Sequence, residues 1–180
     1  MAPNESEVRL YLGFIARHQQ DAEVSYKVSL FTAQKNLQTG KEALTRFFAY
    51  NKLMPLELEV NSYRYENVEH PAMVFTSCVA LGNLPPETTV KHLDALFQQV
   101  FLSKEGHKNK WQTEDWAHSA IQMLTKEGLL EELQADFWLV WGRGYTFANA
   151  TKFGYPAVPV CNVSGQPLAS EWPLPGKSTL

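Results

Sequence analysis

Strand-like segments come first in this chain and helix-like segments follow, and that ordering limits the folds open to it. Residues Val8–Ala16 alternate, with Val8, Leu10, Leu12, Phe14 and Ala16 on one side. Val24–Ala33 places Val24, Tyr26, Val28 and Leu30 on a shared face, and Lys27 on the other. Leu44–Asn51 and Leu56–Val60 read as two more strands by period and composition. Met73–Leu81 is almost continuously apolar and predicts a strand buried on both faces, central in its sheet. After Pro85-Pro86 the period changes to that of a helix. A first helix is expected from a cap at Thr88 or Thr89 to about Phe101, a second over Trp111–Lys126 ended near Gly128, and a third over Gln134–Thr151. Segregated strands and helices predict an α+β domain, with an antiparallel or mixed sheet and three packed helices. Its expected bounds are 8–154, between a disordered 1–7 and an extended tail at 155–180, where five prolines fall in 26 residues.

Composition narrows the function. Hydrophobic residues make up 44% of the chain, enough for a core, and the net charge is −3 with no basic stripe, so no nucleic acid partner is expected. No apolar run reaches the ~18 residues of a membrane span. The opening Met1–Glu7 is polar and acidic, unlike a signal peptide, which points to the cytoplasm. Cys78 and Cys161 are expected as unpaired thiols. Gly142-Arg-Gly144 lacks the strand–turn–helix setting of a phosphate loop, so no cofactor is implied.

The stretch Trp111-Gln-Thr-Glu-Asp-Trp116 opens the second helix. Thr113 is the expected N-cap, Glu114 and Asp115 complement the helix dipole, and Trp116, Ala120, Met123 and Leu124 form the apolar face. Such a helix start stabilises an anion and is a place where enzymes put a nucleophile.

Three segments carry a family resemblance: Tyr26-Lys-Val-Ser-Leu30, Arg46-Phe-Phe-Ala-Tyr-Asn51 and Gln112-Thr-Glu-Asp-Trp116. Together they resemble the landmarks of the lecithin–retinol acyltransferase-like group, a circularly permuted branch of papain-like hydrolases. Small fungal proteins are similar too, opening like Arg9-Leu-Tyr-Leu12 and Ala16-Arg17. The resemblance implies a papain-like permuted fold over roughly residues 8–150. It also implies two histidines and a cysteine, and here this chain departs: Lys27 stands at the first histidine, Phe48 or Ala49 near the second, and Thr113 at the cysteine. A thiolate–imidazole mechanism is not available from these positions.

Two readings of the altered site follow. In one, Lys27 and Thr113 face each other across a strand–helix pocket walled by Tyr26, Phe48, Tyr50, Trp111 and Trp116. A desolvated lysine there activates a hydroxyl or protonates a substrate oxygen, with Glu114 and His118, four residues apart, as an acid–base pair. The chain is then an enzyme acting on an apolar or aromatic small molecule, a cyclase or isomerase of natural-product metabolism, using no metal. In the other, Thr113 only caps its helix, Lys27 is solvated, and the chain is a non-catalytic ligand-binding or protein-interaction relative of an enzyme.

Overall fold

A computed structural model describes residues 6–17, 24–36, 42–54, 58–100, 112–151, 157–170 and 172. In chain order these form β1 (Ser6–Arg17), β2 (Ser25–Asn36), β3 (Glu42–Met54), β4 (Leu58–Val68), β5 (Ser77–Leu84), α1 (Val90–Phe97), α2 (Thr113–Lys126), α3 (Phe137–Thr151), β6 (Val160–Cys161) and β7 (Pro167–Leu168). The strands build one sheet of order β4-β3-β2-β1-β5-β6-β7. Only β5 and β6 run parallel; the other neighbours are antiparallel. Among the described residues the fold is therefore α+β, a mixed sheet with three α-helices, as the segregated periods predict.

Strand alternation sends successive side chains to opposite faces. Leu10, Leu12 and Phe14 of β1, with Tyr26, Val28 and Leu30 of β2, pack beneath the helices against Trp116, Ala120, Leu124 and Val140. Tyr11, Phe31, Ala33 and Cys78 occupy the other face, under Phe75, Val158 and Trp172. β1 is thus buried on both sides at the centre of the sheet. The run Met73–Leu81, expected there, instead starts its strand at Ser77 and lies one place outward. A 3-10 turn, Pro71–Met73, leads into it, and the capping His70 accepts the Ala72 N–H at 3.1 Å. Phe75 then folds beneath the sheet onto Gly13, where any Cβ would collide with its ring.

β4 runs on to Val68, well past the expected end at Val60, because an edge strand carries polar residues on both sides. The tail is structural where it is described. β6 extends the sheet beside β5, and Trp172 buries its ring against Tyr11 and Phe31 at centroid distances of 5.1 and 5.6 Å. At the other terminus, Ser6 and Glu7, expected as disordered, belong to β1. Among the described residues no helix is long and apolar enough to cross a membrane.

Candidate functional site

The N-cap of α2 is Gln112, not the predicted Thr113. Gln112 has extended backbone (φ −128, ψ 170), and its N–H donates to Asp115 Oδ2 at 2.7 Å. Thr113 has another partner. The β2–β3 register runs from Lys35↔Glu42 to Leu30↔Phe47, so Val28 lies beyond it with its N–H in need of an acceptor. The Thr113 hydroxyl supplies that acceptor at 3.1 Å and donates its own proton to Glu114 Oε2 at 3.1 Å. Both residues are buried, Thr113 at 8% and Glu114 at 9% exposure. The helix start is thereby tied to the sheet.

Lys27 does not face this point. It is exposed, pairs in register with Ile15, and alternates away from Tyr26 and Val28 to the face opposite the helices. The expected pocket walls are divided in the same way. Tyr26 is in the core beneath the helices, its hydroxyl donating to Asn149 Oδ1 at 3.3 Å and its ring edge-on to Tyr145 at 5.2 Å. Burial, and then the neighbouring Tyr145, push its phenol above the ordinary value. Trp116 is fully buried, stacked on Tyr63 at 5.6 Å and edge-on to Phe97 at 5.7 Å. It is a core residue, and its Nε1 has no hydrogen-bond partner among the described residues.

Phe48 and Tyr50 lie on the far face with Arg46 and Arg64. Arg46 sits over the Phe48 ring at 3.8 Å, donates from Nε to Ser29 Oγ at 3.0 Å, and pairs with Glu66 at 2.9 Å. Arg64 covers Phe48 and Tyr50 at 4.9 and 5.3 Å. Two aromatic residues predicted for a ligand pocket thus stack with guanidinium groups instead. Trp111, the remaining predicted wall, lies outside the described residues.

His118 and Glu114 do not form the expected pair. Glu114 holds the Thr113 hydroxyl, whereas His118 stacks on Phe137 at 4.9 Å with Trp138 edge-on at 5.4 Å. This places His118 in a groove of ≈460 Å3 between α2 and the start of α3, shared with Ile121, Leu133 and Phe137 and bordered by Glu132 and Asp136. Asp136 also fixes the start of α3, since its Oδ1 accepts the Trp138 N–H at 2.9 Å. A second groove, of ≈470 Å3, lies between β5 and residues 130–134. Thr113 lines neither.

Trp138 and Leu139, next to Phe137 at the start of α3, are exposed at 41% and 50%, and a Phe-Trp-Leu run at a helix start is the one sequence signal near the first groove. Among the described residues no three metal-ligating side chains converge.

The segment from β1 through α3 also decides where this chain belongs. It is a member of the family of unknown function DUF6914, whose profile covers residues 7–152. No curated protein and no solved structure matches it. The DUF6914 match thus takes in both the Thr113 tie and the His118 groove, and ends ahead of β6.

Proposed function

We propose that this chain is a non-catalytic binding protein for a small apolar or aromatic molecule, built on a degenerate scaffold of permuted papain-like type. The observation that carries the reading is the double engagement of the Thr113 hydroxyl, which accepts from Val28 N–H and donates to Glu114. A nucleophile needs an accessible lone pair and a base beside it. Here the lone pair is spent on a strand, and Lys27, the base suggested by the sequence, is on the other side of the sheet. A position that holds a cysteine in the enzymes this chain resembles then acts as a structural joint.

The groove beside His118 is where such a molecule would lie. Its ≈460 Å3 falls within the ~300–1,000 Å3 of small-molecule pockets, and its His118–Phe137 stack offers an aromatic floor. A second reading, an isomerase or cyclase, is favoured by one feature: a carboxylate, Glu114, buried beside a hydroxyl at a helix N-terminus.

Saturation-transfer NMR with a library of aromatic fragments, coupled to mass spectrometry of the same mixtures, separates the two readings. The binding reading expects hits that Phe137→Ala and His118→Ala weaken, and no conversion of any of them. Conversion of a hit by the wild-type chain, lost in Glu114→Gln with binding retained, would replace it with the enzyme reading.

A further inference from the structure

The groove beside His118 has two kinds of wall. His118, Ile121, Leu133 and Phe137 supply ring faces and apolar surface. The polar remainder is rich in acceptors: Glu132 and Asp136 carry carboxylates, and Gln122 and Thr125 carry a carbonyl and a hydroxyl oxygen. Asp136 accepts the Trp138 N–H through Oδ1, and its carboxylate has further lone pairs on Oδ2. Lys126 brings a positive charge to the same wall, but it sits in the last turn of α2, where it complements the negative end of that helix's own dipole.

The chain that joins α2 to α3 adds to the imbalance. From Lys126 to Asp136 it holds four carboxylates, Glu127, Glu131, Glu132 and Asp136, against the one cation Lys126. Glu131 and Glu132 also border the second groove, which shares Leu133 with the first. A cleft lined by one sign of charge over apolar walls focuses the field into itself, drawing in the opposite charge and repelling its own. Ring faces act in the same direction, since the aromatic quadrupole is negative above its plane. We infer that the molecule bound beside His118 is an organic amine, with an aromatic or apolar body and a protonated nitrogen.

This inference rests on the binding role proposed for the groove and adds the charge of its occupant. The body of the amine covers the His118–Phe137 stack, between Ile121 and Leu133. Its ammonium has N–H donors to spare and turns them to Glu132, with Gln122 and Thr125 as neutral acceptors. Glu132 is exposed, so an ion pair there contributes little by itself; the charge together with a ring face gives the selectivity. A carboxylic acid with the same body would meet the same groups with the wrong sign, and a neutral alcohol would keep the body's contacts alone.

Three probes of similar shape test it on the full chain: phenethylamine, phenethyl alcohol and hydrocinnamate, with dissociation constants read from 1H–15N shifts at His118 and Phe137 in low and high salt. At low salt the amine should bind about fivefold or more tighter than the alcohol, with the anion weakest, and the lead should shrink as salt screens the exposed charge. Glu132→Gln, a change at an exposed position, should bring the amine down toward the alcohol, whereas Phe137→Ala should weaken both. Should Phe137→Ala fail to fold, His118→Ala makes that comparison. Amine and alcohol within about twofold of each other, hydrocinnamate tighter than the amine, or a lead that survives Glu132→Gln in full would overturn the inference and leave the groove's binding role standing. No saturable shift with any of the three probes would remove that binding role, and the amine with it.

Discussion

A hydroxyl that bridges a strand N–H and a carboxylate is more valuable to folding than to reaction, and Thr113 can be tested on that footing. Thr113→Val keeps the side chain's shape while leaving the Val28 N–H and the Glu114 carboxylate without their partner. The expected loss is ~1–3 kcal/mol in urea unfolding, with Thr113→Ser close to wild type. A loss within about 0.5 kcal/mol, the usual range of a surface change, would show that the tie is dispensable. The sequence places Thr113 at a helix start because its signals are local, namely the acidic first turn and the apolar spacing. Its partner depends on where the β2–β3 ladder ends, which is a non-local fact. The cysteines give a second residue-scale expectation. Burial pushes the Cys161 thiol up to about 12 from an ordinary 9.0, and burial with Cys161 nearby raises Cys78 as well. Above pH 9.0 the unfolded chain releases thiol protons that the folded chain keeps, so the folded state binds more protons and stability falls as pH rises from 9.0 to about 12. Tyr63, raised mainly by burial and then by Asp94, acts in the same direction. Unfolding free energies of wild type and Cys161→Ala, measured on both sides of pH 9.0, should therefore show a shallower alkaline decline in the variant, though not a flat one.

At the scale of elements, two glycines, one at a helix end and one inside a helix, do opposite work. Gly128 closes α2 in a left-handed conformation (φ +69), with Leu129 N–H bonded to Leu124 O and Gly128 N–H to Thr125 O. Nothing stands within 4 Å of an added Cβ there, so Gly128→Ala should lose only the left-handed penalty of ~1–2 kcal/mol. Gly144 sits inside α3, where helix propensity alone predicts that Gly→Ala gains about 1 kcal/mol. Packing reverses the sign. A Cβ at Gly144 would lie 2.6 Å from both Phe14 and Val79, so the helix must lift off the sheet, at ~1–3 kcal/mol. Thermal unfolding of Gly144→Ala that rises above wild type would show that α3 is less tightly seated than its contacts indicate. Legibility divides along the same line. The C-cap at Gly128 is readable because it follows the end of a periodic run, whereas Gly142 and Gly144 read only as weakening a helix, since close approach to a sheet leaves no local trace. The edge strand β4 reads short in the sequence for a related reason: with Arg64, Tyr65 and Asn67 exposed, no apolar face marks its second half.

For the whole molecule, the question is whether the span covered by the family profile, residues 7–152, is a complete folding unit. The packing of the sheet's second face says that it is not. That face is closed from beyond the span: Val158 and Trp172 cover Tyr11, Phe31 and Phe75. Backbone bonds fix the cover in place, from Cys78 N–H to Pro159 O and from Val158 N–H to Trp172 O. The Trp172 indole donates to Glu42 Oε2 at 2.7 Å, and Glu42 also pairs with Arg9, so the tail is linked to β3 and β1 together. The proline-rich composition predicts an extended tail, and nothing in it announces that an apolar face elsewhere depends on its described residues, which pair as β6 and β7 and place Trp172. Replacing a buried Trp by Ala typically removes ~3–5 kcal/mol, a large part of the ~5–15 kcal/mol that holds a domain together. Trp172→Ala should therefore unfold at markedly lower temperature, and a chain ending at residue 154 should bind a hydrophobic dye and lose cooperative unfolding. A truncated chain whose Tm stays within about 4 °C of the full chain would mean that the sheet can close this face without β6 and Trp172, and the folding unit would shrink to the span of the family profile.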